Sequence, residues 1–271
     1  MSKSFEHIMQ GGDVFFRYAK GKSVEQGKEF HTFHEILYIE NANGKFISED
    51  KNLPLSPNML IIIPKETFHN FDIEDDNTYT RFCLNFYEIP SLDAIMKECL
   101  KSTHILNNPC REILEIFSAL KTAAMHGFSD YESELFLTAS LTFLMLNLKM
   151  NIKSFSSPER RNDSSLISRA IRYINDNISE KLSVESISAA LFVSPSHLSH
   201  KFSSELGISP HRYILSRRLI LSRRLIVTGT SPSVAAEECG FSDYSAFYRA
   251  YKKHYKTSPK ADAALDANRR M

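Results

Sequence analysis

Leu198 and Phe202 stand four residues apart, as do Phe247 and Tyr251, and the two pairs recur at an offset of 49 residues. Residues four apart share one face of an α-helix, so each pair marks a buried helical stripe. The flanking residues repeat as well. Ser183 is a helix N-cap with Glu185 in the first turn, and Ser194-Pro195 opens the next helix, which Gly207 closes. Ser231-Pro232 opens a helix again, Cys239-Gly240-Phe241-Ser242 turns the chain, and Asp243 caps the helix that carries Phe247. Two helices joined by a tight turn, twice over, spell a pair of helix-turn-helix units at about 182–205 and 231–254.

The segment Pro210 to Val227 separates them, about 27 Å long as an α-helix. Its apolar residues Ile214, Leu215, Leu219, Leu221, Leu225 and Ile226 cover more than one face, so it can pack on both units and fix their separation. B-DNA offers the same groove on one side every ~34–36 Å, so two rigidly joined helices can enter successive major grooves. Charge points the same way. From Asp163 onward there are 16 Lys and Arg against 10 Asp and Glu, whereas the preceding residues hold 17 against 22, although the whole chain carries a net charge of only +1. A basic half on a near-neutral chain suits an anionic partner.

The remainder is organised differently. From Val14 to Asn85, short β-branched and aromatic runs (Ile36, Tyr38, Phe46, Met59–Ile63, Tyr79–Leu84) alternate with turn signals such as Asn43-Gly44 and Ser56-Pro57-Asn58. Such spacing predicts a small barrel or sandwich. From Ser91 to Ile152 the period becomes helical. Ile113, Phe117, Leu120 and Ala124 mark one helix, and Leu135, Ala139, Phe143 and Leu146 a second, whose stripe is expected to serve dimerisation. The expected division is therefore residues 1–152, a Ser-rich linker over 153–165, and 166–271. The N-terminus lacks a signal-peptide apolar core, and Leu135–Met150 is too short and too polar to span a bilayer, so a cytoplasmic protein without membrane association is expected. Four sparse cysteines fit free thiols in a reducing compartment. No Gly-rich phosphate loop, nucleophile elbow or zinc-protease helix is present, and neither enzymatic activity nor a cofactor is expected.

The C-terminal segment resembles the DNA-binding domain of the AraC/XylS family of bacterial transcription regulators. The likeness rests on Leu182-Ser-Val-Glu185, Ser194–Phe202, Gly207-Ile-Ser-Pro210, Arg218-Leu219, Gly240-Phe-Ser-Asp243, Phe247, Tyr251-Lys-Lys253 and Ser258-Pro259. It departs from the family pattern at Ser188, Pro232 and Ala235, smaller or more polar choices that bear on packing. The resemblance implies base reading by Ser196, His197, Ser199 and His200 in the first unit and by Ser245, Ala246, Tyr248 and Arg249 in the second. It implies phosphate contacts from Lys201, Arg218, Arg223, Arg224, Lys252 and Lys253. Arg can pair bidentately with guanine, Ser serves either base type, and Ala or a tyrosine edge can meet a thymine methyl.

The segment from Phe30 to Ile39, with Gly44, Pro57 and Pro64–His69, resembles the cupin-like N-terminal barrel of the same family. The resemblance implies a mixed α+β chain: an effector-binding barrel with flanking dimerisation helices, then an all-α domain of two helix-turn-helix units. It implies a sequence-specific regulator, an activator, with double-stranded promoter DNA, RNA polymerase, a second copy of the chain and a sugar or other metabolite as partners. His31, Glu35, Tyr38, His69 and Arg81 are the expected effector contacts. His31, Glu35 and His69 leave three readings open: polar effector contacts, a hydrogen-bonded structural cluster, or a metal-dependent enzyme fused to a DNA-binding domain. A regulator controlled without any effector is the remaining alternative.

Overall fold

The computed structural model describes residues 4–21, 31–49, 51–151 and 165–269. The chain forms two compact units, Met1–Arg161 and Asn162–Met271. The linker expected over 153–165 lies, apart from Ser165, outside the described residues.

Among the described residues, the first unit holds nine strands: β1 (Phe5–Gly11), β2 (Val14–Lys20), β3 (His34–Asn41), β4 (Gly44–Ser48), β5 (Asn52–Pro54), β6 (Met59–Ile63), β7 (His69–Ile73), β8 (Thr80–Phe86) and β9 (His104–Asn107). They form two antiparallel sheets, one ordered β1-β2-β8-β3-β6-β9 and the other β5-β4-β7. Side chains alternate across a strand, so β3 serves two cores. Leu37 and Ile39 pack with Ile61, Ile63 and Cys83 against Phe46 of the small sheet. Ile36 and Tyr38 pack on the other face with Leu60, Phe82 and Leu84 against the helices. Burial on both faces explains the unbroken apolar run in β6.

Among the described residues, three α-helices and a short 3-10 turn at Pro90–Leu92 complete this unit: α1 (Asp93–Cys99), α2 (Arg111–His126) and α3 (Asp130–Asn151). In α2, Ile113, Phe117 and Leu120 are buried, as their spacing predicts. In α3 the buried face is Leu137, Leu141, Leu144, Met145 and Leu148. The stripe read from the sequence is the opposite one: Leu135 is 60% exposed, Phe143 52% and Leu146 43%. Two strands escape the sequence pattern. β1 precedes Val14, where polar residues alternate with apolar ones, and β9 interrupts the span read as helical. β9 has only four residues and owes its conformation to pairing with β6.

The second unit holds α4 (Leu166–Asp176), α5 (Val184–Leu191), α6 (Pro195–Leu206), α7 (Pro210–Val227), α8 (Pro232–Glu238), α9 (Tyr244–Tyr255) and α10 (Pro259–Arg269). Ser165, Ser183, Ser194, Ser209 and Ser231 each accept the backbone N–H three residues on. Such caps contribute roughly 1 kcal/mol apiece and set where each helix starts. The turn after α6 passes through Gly207 at φ +72°.

The helix α7 is braced at both ends. Near its start, Tyr213 meets Phe202 of α6 edge-on at 5.5 Å between centroids. Further along, Leu219 and Ile226 pack with Ala235, Ala236, Phe247 and Tyr251. Of the departures from the family pattern, Ala235 is fully buried in that cluster, Pro232 fills the first turn of α8, and the buried Ser188 hydroxyl donates to the Glu185 carbonyl at 3.0 Å. Cys83, Cys99, Cys110 and Cys239 form no disulfide among the described residues, and burial pushes the Cys99 and Cys239 thiols up to about 11. Among the described residues, no helix is long and apolar enough to cross a membrane.

Candidate nucleic-acid interface and barrel site

The second unit presents two exposed helix faces of matching construction. In α6, Leu198 and Phe202 are fully buried, which turns Ser196, His197 and His200 outward and leaves Ser199 partly covered. In α9, Phe247 and Tyr251 are fully buried, and Ser245, Ala246, Tyr248 and Arg249 are exposed. Asp243 fixes where α9 begins, its two carboxylate oxygens accepting the N–H groups of Ser245 and Ala246 at 3.0 Å each. The base-reading residues expected from the sequence therefore fall on two solvent-facing surfaces, each locked by an aromatic anchor one turn away.

The cations divide into two groups. Arg224, Lys252 and Lys253 are exposed, as is Lys201, which pairs with Glu205 of its own helix at 3.0 Å. Arg218 and Arg223, also expected at phosphates, are half-buried and engaged with partners inside the unit. Arg218 donates to the carbonyl of Ile178 at 3.0 Å and to that of Glu180, tying α7 to the loop after α4. Arg223 pairs with the buried carboxylate of Asp262 at 2.9 Å and lies 4.4 Å from the ring centroid of Tyr255. Asp262, from α10, also accepts the Tyr251 hydroxyl at 2.7 Å. Burial and this carboxylate push the Tyr251 phenol up, so it stays a donor. Burial first, then Arg223, Arg212 and Lys256, hold the neighbouring His254 down to about 4.

In the first unit, His31, Glu35 and His69 converge. Both Nε2 atoms lie 3.3 Å from the same Glu35 oxygen, and the three ligand atoms all lie within 4.8 Å of one another. Burial pushes the Glu35 carboxyl up, but positive charge shared with the two imidazoles outweighs it and holds it well below the usual carboxylate range. His34 stands apart, stacked on Phe86 and held down to about 4 by burial and then by Lys65.

Tyr38 and Arg81 are not brought to this cluster. Tyr38 lies on the opposite face of β3 from Glu35 and donates its hydroxyl to Asn58 at 2.7 Å. Arg81 pairs in register with Ile39, four residues along from Glu35 and hence ~13 Å away. Its guanidinium donates to the Gly21 carbonyl at 2.8 Å. Asn85, which the sequence pattern does not single out, faces Glu35 directly across the β3–β8 pair. With Phe15, Arg17, Phe33 and Tyr87 it lines a groove of about 310 Å³. Alternation along β8 would have found Asn85 once Glu35 was placed.

A family described as "AraC-like ligand binding domain" matches residues 11–139, and one described as "Helix-turn-helix domain" matches residues 187–263. A probable transcriptional regulator, LumQ, from Photobacterium leiognathi is 39% identical over 243 residues, covering 88% of this chain and 93% of that protein. The chain belongs to the AraC/XylS family. It is a DNA-binding transcription regulator with an N-terminal ligand-binding domain. The transcriptional activator RhaS of Mannheimia succiniciproducens is 20% identical over 239 residues, covering 85% of this chain and 86% of that one. Among solved structures, ToxT from Vibrio cholerae O395 aligns over 97% of both chains at 16% identity and a TM-score of 0.41.

Proposed function

We propose that this regulator activates transcription in the cytoplasm as a homodimer, reading promoter DNA through α6 and α9 and contacting RNA polymerase. A small metabolite, such as a sugar, bound beside His31, Glu35 and His69 shifts the balance between its active and inactive arrangements. The observation that carries the DNA assignment is the exposed face of α9, where Arg249 stands clear of the internal partners that hold Arg218 and Arg223. A ligand regulates only by binding one arrangement better than the other. Relatives named as activators support the direction of control.

Base reading is tested by fluorescence anisotropy on a duplex obtained by selection with the purified regulator. Arg249→Ala is expected to cost ~1–3 kcal/mol on the best site and to relax preference at one base position. The first unit offers only Ser and His at its outward positions, so Ser199→Ala with His200→Ala is expected to cost less. The reverse order would assign specificity to α6 and overturn this reading.

For dimerisation, Tyr131, Leu135, Phe143, Leu146 and Met150 form one exposed apolar stripe along α3. A stripe of this length on a soluble protein marks a contact surface. Leu135→Glu with Leu146→Glu is expected to yield monomers in sedimentation velocity. A double variant sedimenting like the parent would place the interface elsewhere.

A further inference from the structure

We propose that His31, Glu35 and His69 bind a divalent transition-metal ion of the zinc class. The other nitrogen of each ring fixes its tautomer. Nδ1 of His31 lies 2.8 Å from the carbonyl oxygen of Phe33, and Nδ1 of His69 lies 3.1 Å from that of Thr67. A carbonyl only accepts, so each Nδ1 carries a proton and donates. In a neutral imidazole the lone pair is then on Nε2. Both Nε2 atoms face Oε2 of Glu35, so three electron-rich atoms point at one another. That arrangement is repulsive unless a positive charge lies between them.

A proton on each ring would supply that charge, but the separations fit it poorly. Charge-assisted N–H···O⁻ bonds run about 2.7–2.9 Å, and both contacts here are 3.3 Å. Ligands about 2.0–2.1 Å from a tetrahedral ion stand roughly 3.3–3.4 Å apart. The two 3.3 Å edges match the second figure, and the third, between the two Nε2 atoms, lies within 4.8 Å. Backbone carbonyls orienting both imidazoles are the usual supporting shell of a histidine metal site. Two imidazoles with one carboxylate suit zinc, cobalt or nickel better than magnesium or calcium, which take oxygen. Burial adds to the requirement. Glu35 is 5% exposed and His69 is fully buried, and a buried anion is costly unless paired.

Three protein ligands leave a tetrahedral ion one free position. The groove of about 310 Å³ lies alongside: Phe33, on its wall, stacks on His31 at 4.0 Å, and Asn85 faces Glu35 across the strand pair. Asn85 Oδ1 is buried without a hydrogen-bond partner among the described residues. An oxygen-bearing metabolite in this groove, which lies next to the ion site but is not lined by its three ligands, would meet that amide. This last step rests on the proposed effector function; the ion site itself does not.

The test uses the full-length protein, freed of any purification tag, stripped with EDTA and titrated with zinc and with cobalt. One ion per chain is expected, with a rise in melting temperature. The cobalt form should show the visible bands of tetrahedral nitrogen and oxygen ligands and no thiolate charge transfer. His31→Gln and Glu35→Gln should each weaken binding by about tenfold or more, whereas Cys110→Ser should leave it unchanged. The proposal is overturned if the folded parent takes up no stoichiometric ion, or if both variants bind as tightly as the parent. It also fails if ring-nitrogen NMR finds both imidazoles doubly protonated whether or not zinc is added. Ion uptake with unchanged DNA affinity would uphold the site while removing it from regulation, so the two readings fail separately.

Discussion

Gly240→Ala is expected to destabilise the second helix-turn-helix unit by about 2–5 kcal/mol. Gly240 sits at φ +80° in the turn between α8 and α9. Left-handed backbone costs a residue with a Cβ ~1–2 kcal/mol. Space is the larger problem. An added Cβ would stand 2.7 Å from the Ser179 carbonyl oxygen, 2.9 Å from that of Ile178 and 2.9 Å from the Arg218 guanidinium. The arginine could swing aside, but only by giving up its bonds to Ile178 and Glu180. The two carbonyls belong to backbone and cannot, and overpacking of this kind costs ~1–3 kcal/mol more. Urea unfolding should show a lower midpoint for the C-terminal transition, with DNA affinity falling as α9 loses its seat. An unchanged midpoint would mean that the turn after α4 is free to move, and Arg218 would then not brace α7.

Asp262→Ala carries the second large effect, about 2–4 kcal/mol. The carboxylate receives Arg223 from α7 and the Tyr251 hydroxyl from α9, so one side chain of α10 joins three helices. Removing one partner of a buried pair leaves the other groups uncompensated, which costs ~3–5 kcal/mol where all are dry. Arg223 keeps 35% of its side chain in solvent and can rehydrate, which lowers the figure. Tyr251 is fully buried and cannot. Asp262→Asn keeps an acceptor for Tyr251 and should recover part of the loss. Equal melting temperatures for the alanine variant and the parent would show that α10 is not needed to hold α9.

These two residues illustrate how much of the molecule is legible in the sequence. Local signals carry the helical half well. Ser194-Pro195, Gly207 and Ser231-Pro232 mark helix ends by their own backbone chemistry, and the helix expected over 210–227 is α7, Pro210–Val227. Long-range partners are not legible. Nothing adjacent to Arg218 or Arg223 announces that Ile178 or Asp262, some forty positions away, will claim them. Tyr38 is misplaced because its neighbours are apolar on both faces of β3, so alternation does not show which face holds Glu35. The α3 stripe is visible, yet the other face of the same helix is also apolar and is the one that is buried. A sequence with apolar residues all round a helix does not say which side meets its own core.

The internal partners of Arg218 and Arg223 also change what the excess of basic residues can do on a duplex. An arginine whose charge is offset by a carboxylate, as Arg223 is by Asp262, displaces fewer counterions from DNA, and one bonded to carbonyls, as Arg218 is, is not free to reach a phosphate. The exponent relating affinity to ionic strength is set by the phosphates actually neutralised, at ~0.9 per contact. For the DNA contacts proposed above it is expected to follow the exposed Arg224, Lys252 and Lys253, and Lys201 once it leaves Glu205, rather than the gross tally of cations. Grip on arbitrary duplex is then expected to be weaker than the cation count implies, and the base edges proposed to meet α9 to carry a larger share of discrimination between sites.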